Sequence, residues 1–272
     1  MTVCEDADAF DRQARSVRRR IIDAIYNGRK GHLGGALSAA DLLLYLYQKR
    51  LVVPSTPARG ATHPMILSKG HSATALFAVM DELMLAGEEL LPSYNRDGSL
   101  VGNNPSELVP GIEFHTGSLG HGVGLASGVA LANEILRREG YVVTLISDGE
   151  LLEGSIWEGM LFAISNNLNV CIIIDRNNQI CENYMRDCVD VKRLPQALEA
   201  IGFEVLEVDG HDYRDLLTID HFVLNLKVPR VIVANTVKGR GVSFMEGVVR
   251  WHHSIPTKEE YTLAMTELTR NE

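Results

Sequence analysis

The hydrophobic pattern along the chain alternates between helical periods and uninterrupted apolar runs. Residues 9–27 place apolar side chains three or four positions apart and stop at Gly28, which predicts an amphipathic helix. Residues 141–146 show no polar alternation, which is typical of a strand buried on both faces. Further predicted strands are 65–67, 170–175, 203–208 and 230–234, and further predicted helices are 39–50, 72–86, 122–138, 155–166, 194–201 and 213–226.

The order of these elements predicts an α/β fold with a parallel sheet and helices on both faces. No repeat, low-complexity tract or linker divides the sequence, so we expect residues 1–272 to form a single domain. Ser38 and Asp41 resemble a capping box that would open the helix at residue 39. Ligands bind at the carboxyl ends of strands in such sheets, so the loops after residues 146, 175, 208 and 234 are candidate sites. The long irregular segment that follows residue 87 is uncommon unless it carries function.

Charge and composition exclude several classes of protein. The 26 Lys and Arg residues against 35 Asp and Glu residues give a net charge of −9, which argues against nucleic-acid binding. The longest apolar runs, 42–47 and 75–80, are far shorter than the roughly 18 residues that span a bilayer. The acidic N-terminus lacks the features of a signal peptide, and the four cysteines lack Cys-x-x-Cys spacing. We therefore expect a cytoplasmic protein with reduced thiols.

Two polar segments follow neighbouring predicted strands. Asp148-Gly149-Glu150 comes after the strand at 141–146, and Asn177-Asn178-Gln179 follows the strand at 170–175. Each segment alone is usually a turn or a cap. Because adjacent parallel strands end side by side, Asp148 and an asparagine oxygen can share one Mg²⁺, a cation that prefers oxygen ligands.

Together these segments match the diphosphate-binding motif of thiamine-diphosphate enzymes, and other blocks resemble the amino-terminal half of transketolase. The chain is most similar to the separate amino-terminal subunit of split bacterial transketolases. The blocks, in the family's order, are 31–38 (Gly-His-Leu-Gly-Gly-Ala-Leu-Ser), 67–71 (Leu-Ser-Lys-Gly-His), 110–113 (Pro-Gly-Ile-Glu), 116–120 (Thr-Gly-Ser-Leu-Gly), 157–158 (Trp-Glu), 236–245 (Thr-Val-Lys-Gly-Arg-Gly-Val-Ser-Phe-Met) and 251–252 (Trp-His).

The resemblance implies a magnesium site and a diphosphate site. Asp148, the Asn177 side chain and the Gln179 backbone carbonyl would hold Mg²⁺, and Gly149 would approach the diphosphate of thiamine diphosphate. The chain is one residue shorter between the two strands than the family pattern. Asn178 therefore remains an alternative ligand.

The resemblance also implies roles for three histidines and one loop. His71 and His252 would donate hydrogen bonds to the diphosphate or lie beside the reacting thiazolium, and His32 would contact the donor hydroxyls. The backbone of Gly117 and Leu119 would hold the aminopyrimidine. Without this context, a lone histidine in a glycine-rich loop is more often a local hydrogen-bonding residue.

Two glutamates and three positions that differ from the family's usual residues complete the expected site. Glu150 belongs to the predicted cofactor-binding segment, and Glu153 resembles a family glutamate that communicates between paired active sites. His121 stands where the family usually has Gln, and His253 where it usually has Gly, so neither receives a role. Asn103 replaces a family histidine that serves the donor, which puts the usual sugar-phosphate chemistry in doubt.

The resemblance implies transfer of a two-carbon ketol unit from a ketose to an aldehyde, with thiamine diphosphate and Mg²⁺. The family's activating glutamate lies in a pyrimidine-binding domain, which we expect on a carboxy-terminal partner subunit, in a complex with two copies of each chain. Transfer of an acyl unit from a 2-oxo acid such as pyruvate, with decarboxylation, remains an alternative. A noncatalytic scaffold is a second alternative. Dinucleotide binding is disfavoured because no Gly-x-Gly-x-x-Gly follows a first strand.

Overall fold

A five-stranded sheet lies at the centre of the computed structural model, which describes residues 3–54, 63–86, 90–181, 183–189, 191–224 and 228–270. The strands are β1 (Met65–Leu67), β2 (Val142–Ser147), β3 (Val170–Arg176), β4 (Glu204–Asp209) and β5 (Arg230–Asn235). Their order in the sheet is β1-β2-β3-β5-β4, and every pair is parallel. The predicted α/β class is therefore confirmed.

Helices pack on both faces of the sheet because the central strands are apolar on both faces. In β2, Val143 and Leu145 join one core cluster, whereas Val142 and Ile146 join the other. The first cluster contains residues of α1, α2, α3, α7 and α8, and the second contains residues of α4, α5 and α6. The helices are α1 (Val3–Gly28), α2 (Leu33–Gln48), α3 (Ala73–Glu82), α4 (Gly122–Ile135), α5 (Gly154–Ser165), α6 (Leu194–Ala200), α7 (Tyr213–Leu224) and α8 (Lys258–Thr269).

The capping box predicted at Ser38 is wrong, because α2 begins at Leu33 and Ser38 lies inside it. Ser38 is fully buried, and its hydroxyl lies 3.0 Å from the Gly35 carbonyl oxygen and 2.6 Å from Asp175 Oδ2. A Ser-x-x-Asp pattern signals a helix start only where the hydroxyl meets free amide groups. Here the hydroxyl faces the sheet.

The C-terminal helix α8 was not predicted, although its start signal is present in the sequence. The Thr257 hydroxyl accepts a hydrogen bond from Glu260 N at 3.2 Å, and Thr257 N donates to Glu260 Oε2 at 2.8 Å. This reciprocal pair is a capping box. Two predicted helices also end earlier than expected, α3 at Glu82 and α4 at Ile135.

Two expectations about the chain's environment can be compared with the structure. In the described part of the chain, no helix combines the length and apolar character needed to cross a membrane. Cys171, Cys181 and Cys188 are free thiols, as the sequence predicts. The side chain of Cys4 lies outside the described residues.

Candidate functional site

A cavity of about 420 Å³ opens at the carboxyl ends of four of the five strands. Three of the four loops singled out from the sequence line it, those after β2, β3 and β5. The loop after β4 does not, because β4 is an edge strand and its loop lines a different polar cavity beside His211. The lining residues are His32, Gly35, His71, Asn103, Asn104, Gly117, Leu119, Ser147, Gly149, Leu152, Glu153, Asn177, Gln179, Ile180, Cys181, Lys238, His252 and His253.

Asp148 is the first residue after β2. The parallel pairing of β2 with β3 sets Ser147 level with Asp175, so Asp148 lies beside the end of β3. The Asp148 carboxylate is fully buried and accepts two backbone hydrogen bonds, from Gly149 N at 2.9 Å and from Asn178 N at 2.6 Å. Burial, together with repulsion from Asp175, raises the pKa of Asp148 to about 7. A buried carboxylate of this kind is stabilised by a cation.

The loop after β3 separates its two asparagines. Asn177 is buried and lines the cavity, and its Oδ1 accepts a hydrogen bond from Gln179 N at 3.1 Å. Asn178 is exposed, has a left-handed backbone with φ of 61°, and lines a second cavity that contains Tyr184. Its contact with Asp148 is through its backbone amide. This placement favours Asn177 over Asn178 as the ligand that completes an oxygen-donor set with Asp148 and Gln179.

These residues fit the magnesium ion that the sequence implies. A carboxylate, an amide oxygen and a backbone carbonyl are hard oxygen donors of the kind Mg²⁺ takes, usually with waters and phosphate oxygens in the remaining positions. The Oε1 atom of Gln179 is also buried without a hydrogen-bond partner, whereas its Nε2 donates to Gly247 O at 2.7 Å. The segment therefore offers one buried acceptor, Gln179 Oε1, that the protein leaves without a partner.

A buried ion pair that sequence reasoning missed lies at the end of β3. Lys69 Nζ contacts Asp175 Oδ2, and both side chains are completely buried. The hydroxyls of Ser38 and Thr236 also donate to Asp175. Although burial opposes ionisation, Lys69 and these hydrogen bonds lower the pKa of Asp175. The separation of 106 residues between the partners gives no local sequence signal for the pair.

Glu150 is held by protein groups on all sides. Its Oε1 accepts from Ser68 Oγ at 2.6 Å and from Gly120 N at 3.0 Å, and its Oε2 accepts from Ser147 N at 2.8 Å. It does not line the cavity. These hydrogen bonds hold the loop at 116–120 against the end of β2.

Three histidines predicted to act in the site meet in the cavity. The His32 ring centroid lies 5.3 Å from that of His71 and 5.1 Å from that of His252. Burial lowers the pKa of His32 to about 4 and that of His252 to about 3, and the pKa of His71 also falls well below its ordinary value. The nearby ammonium groups of Lys69 and Lys238 act in the same direction. All three rings are therefore neutral near pH 7.

The long loop and the segment after β2 provide the rim of the cavity. Asn103 Oδ1 lies 3.0 Å from His32 Nδ1, a contact that holds the His32 ring in place. Gly117 packs so closely on Asn104 that an added Cβ would lie 2.8 Å from Asn104 Nδ2. Leu119 and Glu153 are exposed at the opening. The structure thus brings the predicted loop and Glu153 to the same cavity.

Cys181, Lys238 and His253 are cavity residues that sequence reasoning left without a role. Lys238 Nζ donates to Ile180 O at 2.9 Å, and burial lowers the pKa of Lys238 to about 8. His253 Nε2 lies 3.4 Å from Cys181 Sγ. The sequence gives no signal for this last contact because the two residues are 72 positions apart.

Of the histidines that lack motif context, His253 lines the cavity, whereas His63, His121 and His211 make contacts outside it. His63 stacks on Tyr141 with ring centroids 4.0 Å apart, and His211 pairs with Asp41 at 2.5 Å while its Nε2 accepts from Val237 N. His121 Nδ1 contacts the carbonyl oxygens of residues 118 and 119. These contacts are local and structural.

Comparison with known proteins gives a consistent result over nearly the whole chain. The family model described as transketolase, thiamine diphosphate binding domain, matches residues 10–270. The chain is 36% identical over 269 residues to an apulose-4-phosphate transketolase subunit of Actinobacillus succinogenes, covering 96% of each protein. It is 32% identical over 262 residues to 6-deoxy-6-sulfo-D-fructose transketolase subunit SqwG of Clostridium sp., covering 95% of each.

Longer transketolases match over part of their length. Human transketolase is 32% identical over 244 residues, which are 88% of this chain and 38% of that protein. The crystal structure of transketolase from Campylobacter jejuni superposes with a TM-score of 0.86 at 25% identity, covering 98% of this chain and 43% of that one. The chain therefore spans less than half of the solved transketolase that it matches.

Proposed function

Because the chain belongs to the transketolase thiamine diphosphate-binding domain family, we propose that it is the diphosphate-binding subunit of a two-component transketolase-like enzyme. The observation that carries this proposal is the buried Asp148 carboxylate, which lies between the cavity-lining residues Ser147 and Gly149 and contacts the loop after β3, where Gln179 Oε1 has no hydrogen-bond partner. The enzyme would move a two-carbon ketol unit from a ketose donor to an aldehyde acceptor.

In this proposal the strand ends bind the cofactor. Asp148, the Asn177 side chain and the Gln179 carbonyl hold Mg²⁺, and the backbone of Gly149 approaches the diphosphate. Bound thiamine diphosphate would supply the carbon nucleophile for two-carbon transfer. The backbone of Gly117 and Leu119 holds the aminopyrimidine ring.

The histidines act as neutral groups. His71 and His252 donate hydrogen bonds toward the diphosphate or the reacting ring, and His32 contacts the donor hydroxyls. Because their pKa values are depressed, each ring keeps one N–H donor and one acceptor nitrogen near pH 7. A neutral imidazole also takes up a proton from a hydroxyl in the transition state.

A second protein chain completes the site in this proposal. The apulose-4-phosphate and 6-deoxy-6-sulfo-D-fructose transketolase relatives both carry subunit names. The resemblance to transketolase implies that the activating glutamate lies in a pyrimidine-binding domain. The open rim carries exposed apolar side chains, with Leu119 37% and Leu152 49% exposed beside Glu153. We place the partner on this rim, where Glu153 would connect paired active sites.

Reconstitution tests the proposal. The chain alone is expected to show no two-carbon transfer, and mixing with a protein carrying the pyrimidine-binding domain, sought in the adjacent reading frame, is expected to produce it. Asp148→Asn in the mixture serves as the matched inactive control. Turnover by the single chain at the rate of the mixture would contradict the two-component assignment. A mixture that neither binds thiamine diphosphate nor turns over would support the scaffold alternative.

The asparagine at position 103 bears on which donor the enzyme uses. The names of the relatives favour a ketose over a 2-oxo acid. An amide, however, neither carries charge nor transfers protons near pH 7, whereas histidine does both. We therefore expect poor use of xylulose 5-phosphate by the native complex.

The variant Asn103→His tests this expectation. It should raise kcat/KM for xylulose 5-phosphate by about tenfold, equivalent to about 1.4 kcal/mol of transition-state stabilisation, and lower kcat/KM for the native donor. Both donors, and pyruvate, are compared in both complexes. Efficient use of xylulose 5-phosphate by the native complex would show that the substitution is neutral, and a preference for pyruvate would favour the acyl-transfer alternative.

A further inference from the structure

Three histidines converge at the mouth of the cavity, and one of them, His253, has no role in the proposed two-carbon transfer. His32, His252 and His253 each offer a ring nitrogen, and the three nitrogens lie within 4.8 Å of one another. Their ring centroids are 4.4 to 5.1 Å apart. In a tetrahedral zinc site the ligand nitrogens lie about 3.3 Å apart, so small side-chain rotations would close the set around a metal.

Hydrogen bonding leaves coordinating nitrogens free. The Nδ1–H group of His32 donates to Asn103 Oδ1 at 3.0 Å, so the lone pair is on Nε2. Histidines that bind metals usually donate their other ring N–H group to an oxygen in this way. His252 Nδ1 is buried and has no hydrogen-bond partner, which is costly unless a ligand uses it.

The Cys181 thiol lies beside one of these histidines, His253, but outside the set of ligand atoms that lie within 4.8 Å of one another, so it joins the three imidazoles only after a side-chain rotation. Cys181 Sγ lies 3.4 Å from His253 Nε2, and both residues line the cavity. Tetrahedral zinc with one sulfur and one nitrogen ligand places those two atoms about 3.6 Å apart. Three imidazoles and one thiolate form a donor set that suits zinc and not magnesium.

We propose that His32, His252, His253 and Cys181 form a zinc site at the mouth of the cavity, separate from the oxygen-donor site at Asp148. Zinc binding forms one bond to each of three neutral imidazole nitrogens and one to the Cys181 sulfur, and the thiol proton passes to solvent. Occupation of this site would take His32 away from the donor hydroxyls and His252 away from the diphosphate or the reacting ring, and so inhibit the enzyme. This inhibition rests on the proposed function, whereas zinc binding itself does not.

The binding test uses the full chain in excess Mg²⁺, which keeps zinc from the Asp148 site. Zinc is titrated against a chromophoric chelator for the native chain, for His253→Ala and for His115→Ala. His115 is a matched control because its side chain is 63% exposed and does not line the cavity. His253 is also exposed, so its replacement leaves the core intact.

The native chain and His115→Ala are expected to bind one zinc ion with equal affinity. His253→Ala should weaken binding by at least about tenfold, the lower end of the loss seen when even an outer partner of a metal ligand is removed. Cobalt substitution should give a near-ultraviolet thiolate charge-transfer band that Cys181→Ser abolishes. Equal zinc affinity in His253→Ala, or an unchanged cobalt band in Cys181→Ser, would overturn the site as stated.

An activity measurement separates this proposal from the proposed function. In a reconstituted complex, zinc is expected to inhibit competitively with the donor, with at least about tenfold weaker inhibition in His253→Ala. If no partner restores turnover, the chelator titration still decides whether the zinc site exists. If turnover is restored and micromolar zinc neither binds nor inhibits, the zinc site is refuted and the proposed function stands.

Discussion

Two buried carboxylates lie at the ends of neighbouring strands, and they differ in their charged and hydrogen-bonding partners. Asp175 and Asp148 are both fully buried. Asp175 is paired with Lys69 and accepts hydrogen bonds from two hydroxyls, so its pKa is lowered. Asp148 has hydrogen bonds from backbone amides alone, and its pKa is raised to about 7.

The difference indicates that the Asp175 charge stabilises the fold, whereas the Asp148 charge is suited to binding a cation. Removing a charge from water is costly, and Lys69 offsets that cost for Asp175 within the fold. No cationic side chain in the described part of the chain makes a corresponding contact with Asp148. A divalent cation bound beside Asp148 would supply the missing positive charge, and the cavity beside it would admit an anionic diphosphate.

The largest expected effect on stability comes from breaking the structural pair. Lys69→Met leaves Asp175 buried without its cation and should lower the free energy of unfolding by about 3 to 5 kcal/mol. The double variant Lys69→Met, Asp175→Leu should recover much of this loss, since apolar replacement of a buried pair is often neutral. Urea unfolding of the chain measures both, and a loss below about 1 kcal/mol for Lys69→Met would contradict the comparison.

Ligand removal should give the next largest effect. Thiamine diphosphate with Mg²⁺, at about 100 times its dissociation constant, should stabilise the native chain by about 2.7 kcal/mol. Chelation of Mg²⁺ should remove this gain, and Asp148→Asn should not show it. Thermal unfolding with and without the ligands makes the measurement, and an equal gain in Asp148→Asn would place the cation elsewhere.

Replacing the two asparagines after β3 should change the cofactor affinity by different amounts, and the larger of these effects is smaller than that of ligand removal. Asn177→Ala removes a proposed ligand and should weaken Mg²⁺-dependent cofactor binding by about tenfold, or 1.4 kcal/mol. Asn178→Gly retains the left-handed backbone, with φ of 61°, and the amide that contacts Asp148, so it should change the affinity little. The opposite order of affinities would make Asn178 the ligand.

The smallest effect is expected for Asp148→Asn in the chain without cofactor. Because no cation is left unpaired, the free energy of unfolding should change by less than about 1 kcal/mol. Urea unfolding beside Lys69→Met makes the comparison direct. A loss as large as that of Lys69→Met would show that Asp148 is a structural charge as well.

The sequence predicted the sheet because its signals are local. The apolar runs 142–146 and 170–174 became most of β2 and β3, which end at Ser147 and Arg176. The positions of Asp148 and Asn177 at neighbouring strand ends followed from the parallel pairing of these two strands. The strand predictions therefore located the cavity.

What the sequence did not predict depends on packing between distant segments. The start of α2 was missed because Gly34 and Gly35 are poor helix formers, and they lie there because larger residues would meet Lys238 and His71. The Lys69–Asp175 pair and the contact of Cys181 with His253 join residues far apart in the chain. Helix α8, in contrast, has a local Thr-x-x-Glu signal at its start, at Thr257 and Glu260.

Isothermal titration of the reconstituted complex with thiamine diphosphate tests the central claim that the Asp148 carboxylate binds the cation on which cofactor binding depends. The native complex should bind the cofactor with Mg²⁺ present and lose at least about 100-fold in affinity, or 2.7 kcal/mol, when Mg²⁺ is chelated. Asp148→Asn should bind weakly under both conditions. Equal affinity of the native and Asp148→Asn complexes in the presence of Mg²⁺ would contradict the account.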